Sequence, residues 1–185
     1  MEAAWLELTE KGYAHFTLDA VADRARTSRP VIHRRWPQRR DLVFAAVRHH
    51  HERNPLTVPD TGSLREDLLA YLREVSAKRV ELVVLFSVLL AQYFEETGSS
   101  PAEFRAQVVH GRMTEAGVDA LWARAVARGE VNEKVLTPRL RALPFDLLRH
   151  ELARTLQPVP ESTIVEIVEI VEIVEIVLPL ATRQD

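Results

Sequence analysis

Residues 17–40 read TLDAVADRARTSRPVIHRRWPQRR, and this stretch decides the fold. Thr17 is a natural N-cap, because its hydroxyl can accept a bond from an amide of the first helical turn. Asp19 sits in that turn, where the helix dipole favours a carboxylate. Leu18, Val21, Ala22 and Ala25 then fall at i, i+3, i+4 and i+7, an apolar helical stripe. A break follows at Arg26-Thr27. A second short helix starts near Ser28, with Pro30 tolerated in its first turn and with Ile32 and Trp36, four apart, facing inward. Pro37 stops it. Two short helices joined by a tight break make a helix-turn-helix.

Helical patterning continues on both sides. Residues 2–12 predict a helix with Trp5, Leu8 and Gly12 on one side and Gly12 as its C-terminal cap. A fourth helix is expected from Arg39 to His51, with Leu42, Ala45 and Ala46 inward. Residues 54–63, NPLTVPDTGS, have linker composition, and the domain boundary is placed there. This divides the chain into two domains, 1–53 and 54–185. In the latter, Leu64, Leu68, Leu72 and Val75 form one stripe. Leu82–Leu90 is apolar almost all round, which predicts a central buried helix. Glu96–Pro101 reads as a turn, and Phe104 to Ala127 as one long helix ending at Arg128-Gly129. Thr137-Pro138 opens a helix carrying Leu140, Leu143, Leu147, Leu148, Leu152 and Leu156, which Pro144 should bend. The expected class is all-α, with about nine helices.

The tail from Ile164 to Val177 repeats Ile-Val-Glu. A period of three drifts against the 3.6 residues of a helical turn, so neither a helix nor a strand comes out cleanly amphipathic. Its β-branched content favours a strand, but a lone strand would have no partner. A helix over about 161–178 is therefore the expectation, with its apolar surface serving a second subunit.

The chain has 185 residues, a net charge of −3 and no cysteine. That excludes disulfides and thiolate chemistry and suits a cytoplasmic protein. No secretory leader is evident, and the longest nearly apolar run, Leu82 to Ala91, is too short to span a bilayer. The charge is unevenly spread. Residues 1–51 carry nine Lys/Arg against six Asp/Glu, whereas the remainder is acidic. Arg24, Arg26, Arg29, Arg34, Arg35, Arg39 and Arg40 crowd into 24–40 without one acid between them. A basic cluster on an acidic chain fits a module that contacts phosphate.

In a helix-turn-helix the second helix lies in the major groove with its N-terminal residues at the base edges. With Ile32 and Trp36 inward, Ser28, Arg29, His33 and Arg34 face outward and Thr27 occupies the turn. Arg29 can take guanine O6 and N7 bidentately. Thr17, Thr27 and His33 suit phosphate oxygens, and Arg39, opening the fourth helix, should reach phosphate as well.

Those same residues resemble the TetR (tetracycline-repressor) family. From Ala4 to Val47 the motifs EKGYAHFT, LDAVADRA, TSRPVIHRRW and PQRRDL follow its N-terminal pattern. The resemblance implies that Gly12-Tyr13 closes the first helix, that Phe16-Thr17 leads into the second, and that the third reads DNA. It also implies that Arg39 stands where the family usually has a lysine on phosphate. Downstream, PDTGSLREDLLAYL and RAVARGEV look like a C-terminal regulatory domain of that family. Three departures stand out. The family's turn glycine is Arg26 here, at a cost of about 1 kcal/mol if its φ is positive. Its usual Tyr or Phe is His33, which makes one phosphate contact pH-sensitive. The family commonly carries a turn or more, often basic, before the position of Ala4, so weaker phosphate contact is expected.

Other candidates carry less. His49, His50 and His51 are consecutive and point in three directions on a helix, so no metal site is expected. His110 and His150 are lone, and Ser87 can bond its own helix backbone. No phosphate loop, nucleophile elbow or paired-acid motif occurs, so neither enzymatic activity nor a cofactor is expected. For the effector pocket, Phe86, Leu89, Tyr93, Phe104, Val108 and Trp122 are expected on helices enclosing the centre of the second domain. The resulting reading is a ligand-responsive regulator, a repressor, bound to a pseudo-palindromic operator as a homodimer. Its last two helices, about 138–156 and 161–178, would form an isologous four-helix interface. The alternative is a TetR-like helical scaffold that binds a small molecule or protein without sequence-specific DNA binding.

Overall fold

The computed structural model describes residues 1–109 and 114–181. The fold is all-α, with no strand among the described residues. Among the described residues ten α-helices follow in order: α1 (Glu2–His15), α2 (Leu18–Arg24), α3 (Arg29–Arg35), α4 (Arg39–Arg53), α5 (Leu64–Val84), α6 (Ala91–Thr97), α7 (Pro101–Val109), α8 (Thr114–Ala127), α9 (Pro138–Thr155) and α10 (Glu161–Ala181). A π-helical turn, Leu85–Leu89, lies between α5 and α6. The chain divides into two compact units, one of residues 1–55 with 84–111, the other of 56–83 with 112–185.

In the first unit α1 packs on α4, burying Leu8, Leu42, Val43, Ala46 and Val47. Gly12 does interrupt α1, with φ 69° and ψ 168°, but one more turn follows to His15. A Cβ there would only touch Leu89 at 3.5 Å, so it is the positive φ that asks for glycine, not lack of room. Three expected inward residues are not buried: Ala25 is exposed, and Ala45 and Trp36 are half-buried. Ala25 and Trp36 lie just past the ends of α2 and α3, where the helical register no longer points them inward.

The segment 82–90 is not the fully buried helix expected from its composition. Leu82, Leu85 and Leu90 are buried, but Ser87 is exposed and Val88 is 53% exposed. Leu90 N–H bonds the carbonyl of Leu85, five residues back, at 3.0 Å. That wider turn rotates the following residues out of the α register. It also leaves room for α6, which the apolar run had concealed. Gly98, at φ 70°, ends α6 in the left-handed region. The long helix expected from Phe104 to Ala127 is described as α7 and α8, and residues 110–113 between them, including His110, lie outside the described residues.

In the second unit one core joins Leu68, Tyr71 and Leu72 of α5, Leu121 and Trp122 of α8, Leu148 and Leu152 of α9, and Ile164, Ile167, Val168 and Val171 of α10. Thr137 caps α9 by accepting from Leu140 N–H at 3.3 Å, with Pro138 in the first turn. Asp67, fully buried, accepts from Thr61 N–H at 2.7 Å, Thr61 Oγ1 at 2.8 Å and Arg128 Nη2 at 3.3 Å. A buried carboxylate holds its place when hydrogen-bonded in this way.

The Ile-Val-Glu segment is helical, and the expectation that it lacks an amphipathic face is corrected over 161–172. Ile164, Ile167, Val168 and Val171 are buried at i, i+3, i+4 and i+7. The repeat's glutamates drift to the outer side, where Glu169 and Glu172 face Arg65, and Glu161, ahead of the repeat, pairs with Arg73. A triplet repeat thus supplies a proper stripe for about two turns before its drift accumulates. No helix among the described residues is long and apolar enough to cross a membrane.

Candidate nucleic-acid interface

Thr17 caps α2 as its position predicts, accepting from Ala20 N–H at 3.1 Å. The helix ends at Ala25, and Arg26 follows with φ 50°. Arg26 is therefore the left-handed residue of the turn, in the place where the family has glycine, and carries a strain of about 1 kcal/mol. Thr27 N–H reaches back to the Ala22 carbonyl at 3.0 Å and locks the turn. Ser28 then opens α3 with its hydroxyl not used as a cap. Of the seven residues of α3, only Ile32 is buried. Thr27, Ser28, Arg29, His33 and Arg34 are all exposed. The turn and α3 thus bring five of the seven expected contact residues onto one short segment. Through His33, which meets Asp19, that segment reaches the first turn of α2, beside Thr17.

The charges on this face are not bare. Arg29 Nη2 donates to Asp23 Oδ2 at 3.2 Å, and its Nη1 lies 3.6 Å from Asp19 Oδ2. His33 Nε2 lies 3.0 Å from Asp19 Oδ1. His33 and then Arg29, beside Asp19, hold its carboxyl below the ordinary carboxylate range. Arg24, counted in the basic cluster, donates its Nε to Glu7 at 2.9 Å and its Nη1 to Glu10 at 3.0 Å. It is a brace between α1 and α2. Arg35 stacks over Trp36, 4.8 Å from the ring centroid. Arg34 has no ion pair among the described residues.

Arg39 is turned to a separate cluster. Its guanidinium lies 4.2 Å from the centroid of the Tyr13 ring, donates to the Tyr13 carbonyl at 3.4 Å and pairs with Glu96 of α6. Glu96 is held below the ordinary carboxylate range, chiefly by Arg39. The Tyr13 hydroxyl is buried without a hydrogen-bond partner among the described residues. Burial, and next the Glu96 carboxylate, push its pKa up to about 12. The sequence does not reveal Glu96 as the partner, because 57 residues separate it from Arg39. Asp19 and Asp23 were more accessible, since each lies on the helix packed against α3.

The six residues nominated for an effector pocket do not share a unit. Phe86, Leu89, Tyr93, Phe104 and Val108 belong to the first unit, with α1–α4, and Trp122 to the second. The expectation that all six surround the centre of one C-terminal domain is corrected, because 84–111 clusters with the N-terminal helices. Phe104 is the hub of an aromatic cluster, 4.9 Å from Tyr93 and 5.6 Å from both Phe86 and Phe44, ring centroid to centroid. Trp122 is fully buried, and its Nε1 donates to the Arg141 carbonyl at 3.3 Å. His50 stacks on Trp5 with centroids 3.6 Å apart. No cluster of three metal-type side chains occurs among the described residues.

Comparison with known proteins bears on this arrangement. Residues 1–46 match the model of the bacterial regulatory proteins, tetR family, and residues 58–171 match that of the tetracyclin repressor-like C-terminal domain. The chain belongs to the TetR family. This TetR-family chain is 30% identical over 150 residues to a DNA-binding transcriptional repressor, TetR, of Mycobacteroides abscessus, covering 78% of this chain and 75% of that protein. It is 34% identical over 146 residues to an HTH-type transcriptional regulator of Mycobacterium tuberculosis (strain H37Rv), covering 76% of this chain and 66% of the relative. The same figures hold for a regulator of Mycobacterium bovis, so the chain spans just under two thirds of the length of these relatives. Among solved structures, a flavonoid-responsive regulator, FrrA, superposes with a TM-score of 0.58 at 19% identity, over 91% of this chain and 88% of that one. That likeness concerns the fold.

Proposed function

We propose that this TetR-family chain is a ligand-responsive transcriptional regulator, a repressor, that acts in the cytoplasm on a pseudo-palindromic operator as a homodimer. The observation that carries this reading is α3. One buried side chain, Ile32, anchors it, and Thr27, Ser28, Arg29, His33 and Arg34 stand exposed around it. In this reading Arg29 reads a guanine, while Thr17, Thr27, Ser28, His33 and Arg34 contact phosphate or sugar. Arg39 joins them on phosphate when Glu96 releases it. DNA binding belongs to residues 1–53, and effector binding and dimerisation to 54–185. The dimer forms through α9 and α10, and the exposed Ile170, at 43%, supports a partner on α10. A mostly apolar effector is taken near the aromatic residues Phe86, Tyr93 and Phe104 together with Leu89 and Val108, whereas Trp122 serves packing. Effector binding favours a dimer geometry that no longer matches the half-site spacing. The protein needs no enzymatic chemistry for this role.

The test is recovery of bound fragments from sheared genomic DNA, followed by titration at two salt concentrations. A palindromic motif, bound far above background, is the expected result. Arg29→Ala should lose about 1–3 kcal/mol of discrimination at one base position, while Arg39→Ala should weaken all sequences alike and flatten the salt slope. Weak, sequence-independent binding abolished by modest salt would leave only electrostatics and would favour a scaffold that binds a ligand or protein instead. The carboxylates already paired with Arg29 and Arg39 are the observation on that side.

A further inference from the structure

The carboxylates of α2 lie on the exposed face of α3. Asp23 Oδ2 accepts from Arg29 Nη2 at 3.2 Å, and the two oxygens of Asp19 serve different residues, Oδ2 facing Arg29 Nη1 at 3.6 Å and Oδ1 facing His33 Nε2 at 3.0 Å. Arg29 and His33 are i and i+4 on α3, so Asp19 spans one helical turn of the recognition face. All four side chains are well exposed, Asp19 at 49%, Asp23 at 67%, Arg29 at 58% and His33 at 51%. Exposed pairs of this kind add little to stability. Their consequence lies in what they do to a long, mobile arginine and to the local charge.

Resting on the reading of α3 as a DNA-recognition helix, we propose that Asp19 and Asp23 are positioning residues that set the sequence specificity of Arg29, with Asp19 also holding His33 in place. Two physical effects combine. A guanidinium carries five N–H donors in a rigid plane; Asp23 takes one at Nη2 and Asp19 lies beside Nη1, which leaves the second N–H of each terminal nitrogen and the Nε–H for a guanine edge. The side chain is ordered before DNA arrives and loses less freedom on docking. At the same time two negative charges beside the face repel phosphate and subtract from the sequence-independent attraction. Base reading is supported while indiscriminate backbone binding is penalised, and the ratio of the two is what distinguishes an operator from bulk DNA.

The experiment uses the full chain and a randomised duplex library. Wild type, Asp23→Asn, Asp19→Asn and Asp23→Glu are each taken through selection, and affinities are measured for the wild-type-selected duplex and for poly(dI-dC). Asp23→Asn is expected to bind poly(dI-dC) more tightly, to lose preference at one guanine, and to lower the ratio of the two affinities about tenfold. Asp19→Asn should act in the same direction, and Asp23→Glu should restore much of the ratio. Thermal midpoints should stay near wild type, which separates positioning from structural loss. If wild type selects a motif and the Asn variants select the same motif at an unchanged ratio, the inference is overturned. It is also overturned if both affinities rise by the same factor, since that is repulsion without positioning. If wild type selects no motif at all, the recognition-helix reading falls first and takes this inference with it.

Discussion

Helices α3 and α10 are held in opposite ways. α3 has seven residues and one buried anchor, Ile32, and most of its remaining surface is charged or polar. Its neighbours are met through polar contacts: Arg29 in ion pairs with Asp19 and Asp23, and His33 at hydrogen-bond distance from Asp19. α10 has 21 residues and docks by a continuous apolar stripe, Ile164, Ile167, Val168 and Val171, into the core around Trp122. The difference separates two tasks. A helix fixed at one point keeps its circumference for a partner and must borrow its stability from the elements beside it. A helix fixed along an apolar stripe of about two turns contributes stability and leaves less of its surface for recognition.

The largest blow to this contrast should come from Trp122→Ala, which empties a fully buried site in the second unit. The expected loss is about 3–5 kcal/mol in urea unfolding; a loss below about 1 kcal/mol would show that burial does not hold that unit. Ile32→Ala should cost about 2–4 kcal/mol and release α3 specifically, read as faster amide exchange at 29–35 with α9 and α10 unaffected. If α3 stays protected, the ion pairs are stronger anchors than the single apolar contact. Arg26→Gly relieves the positive φ of the turn and should raise stability by about 1 kcal/mol, seen as a higher thermal midpoint. The smallest effect concerns Arg39 and Glu96. Arg39 lowers the Glu96 carboxyl in the fold, so the pair's contribution is complete above the unfolded value, about 4.5, and fades as pH falls through the lowered one. On a partly exposed pair this amounts to well under 1 kcal/mol. Glu96→Gln should flatten that part of the pH profile; an unchanged profile would show that the pair adds nothing measurable.

The helix-turn-helix was readable because its signals are local. Thr17 caps, Pro30 sits in a first turn, and Leu18, Val21, Ala22 and Ile32 lie at helical spacing, so backbone rules within ten or so residues suffice. Even the left-handed turn at Arg26 was anticipated, from resemblance to a family with glycine there. The misreadings had non-local causes. The π turn at 85–89 is a matter of backbone register that a uniformly apolar run does not encode, and it hid α6. Assigning 84–111 to a C-terminal core failed because the segment clusters with α1–α4 instead.

By itself, then, the sequence determined the helical class, the short helix-turn-helix and the exposed Arg29, His33 and Arg34 from spacing over a few turns, and its motifs indicated the family by resemblance. Only the tertiary structure decided which charges meet. Arg24 was committed to Glu7 and Glu10, Arg29 to Asp19 and Asp23, and Arg39 to Glu96. Pattern along a chain reports which face of a helix is apolar. It does not report which opposite charge another helix brings within 4 Å, and Coulomb attraction depends on that distance rather than on separation in sequence.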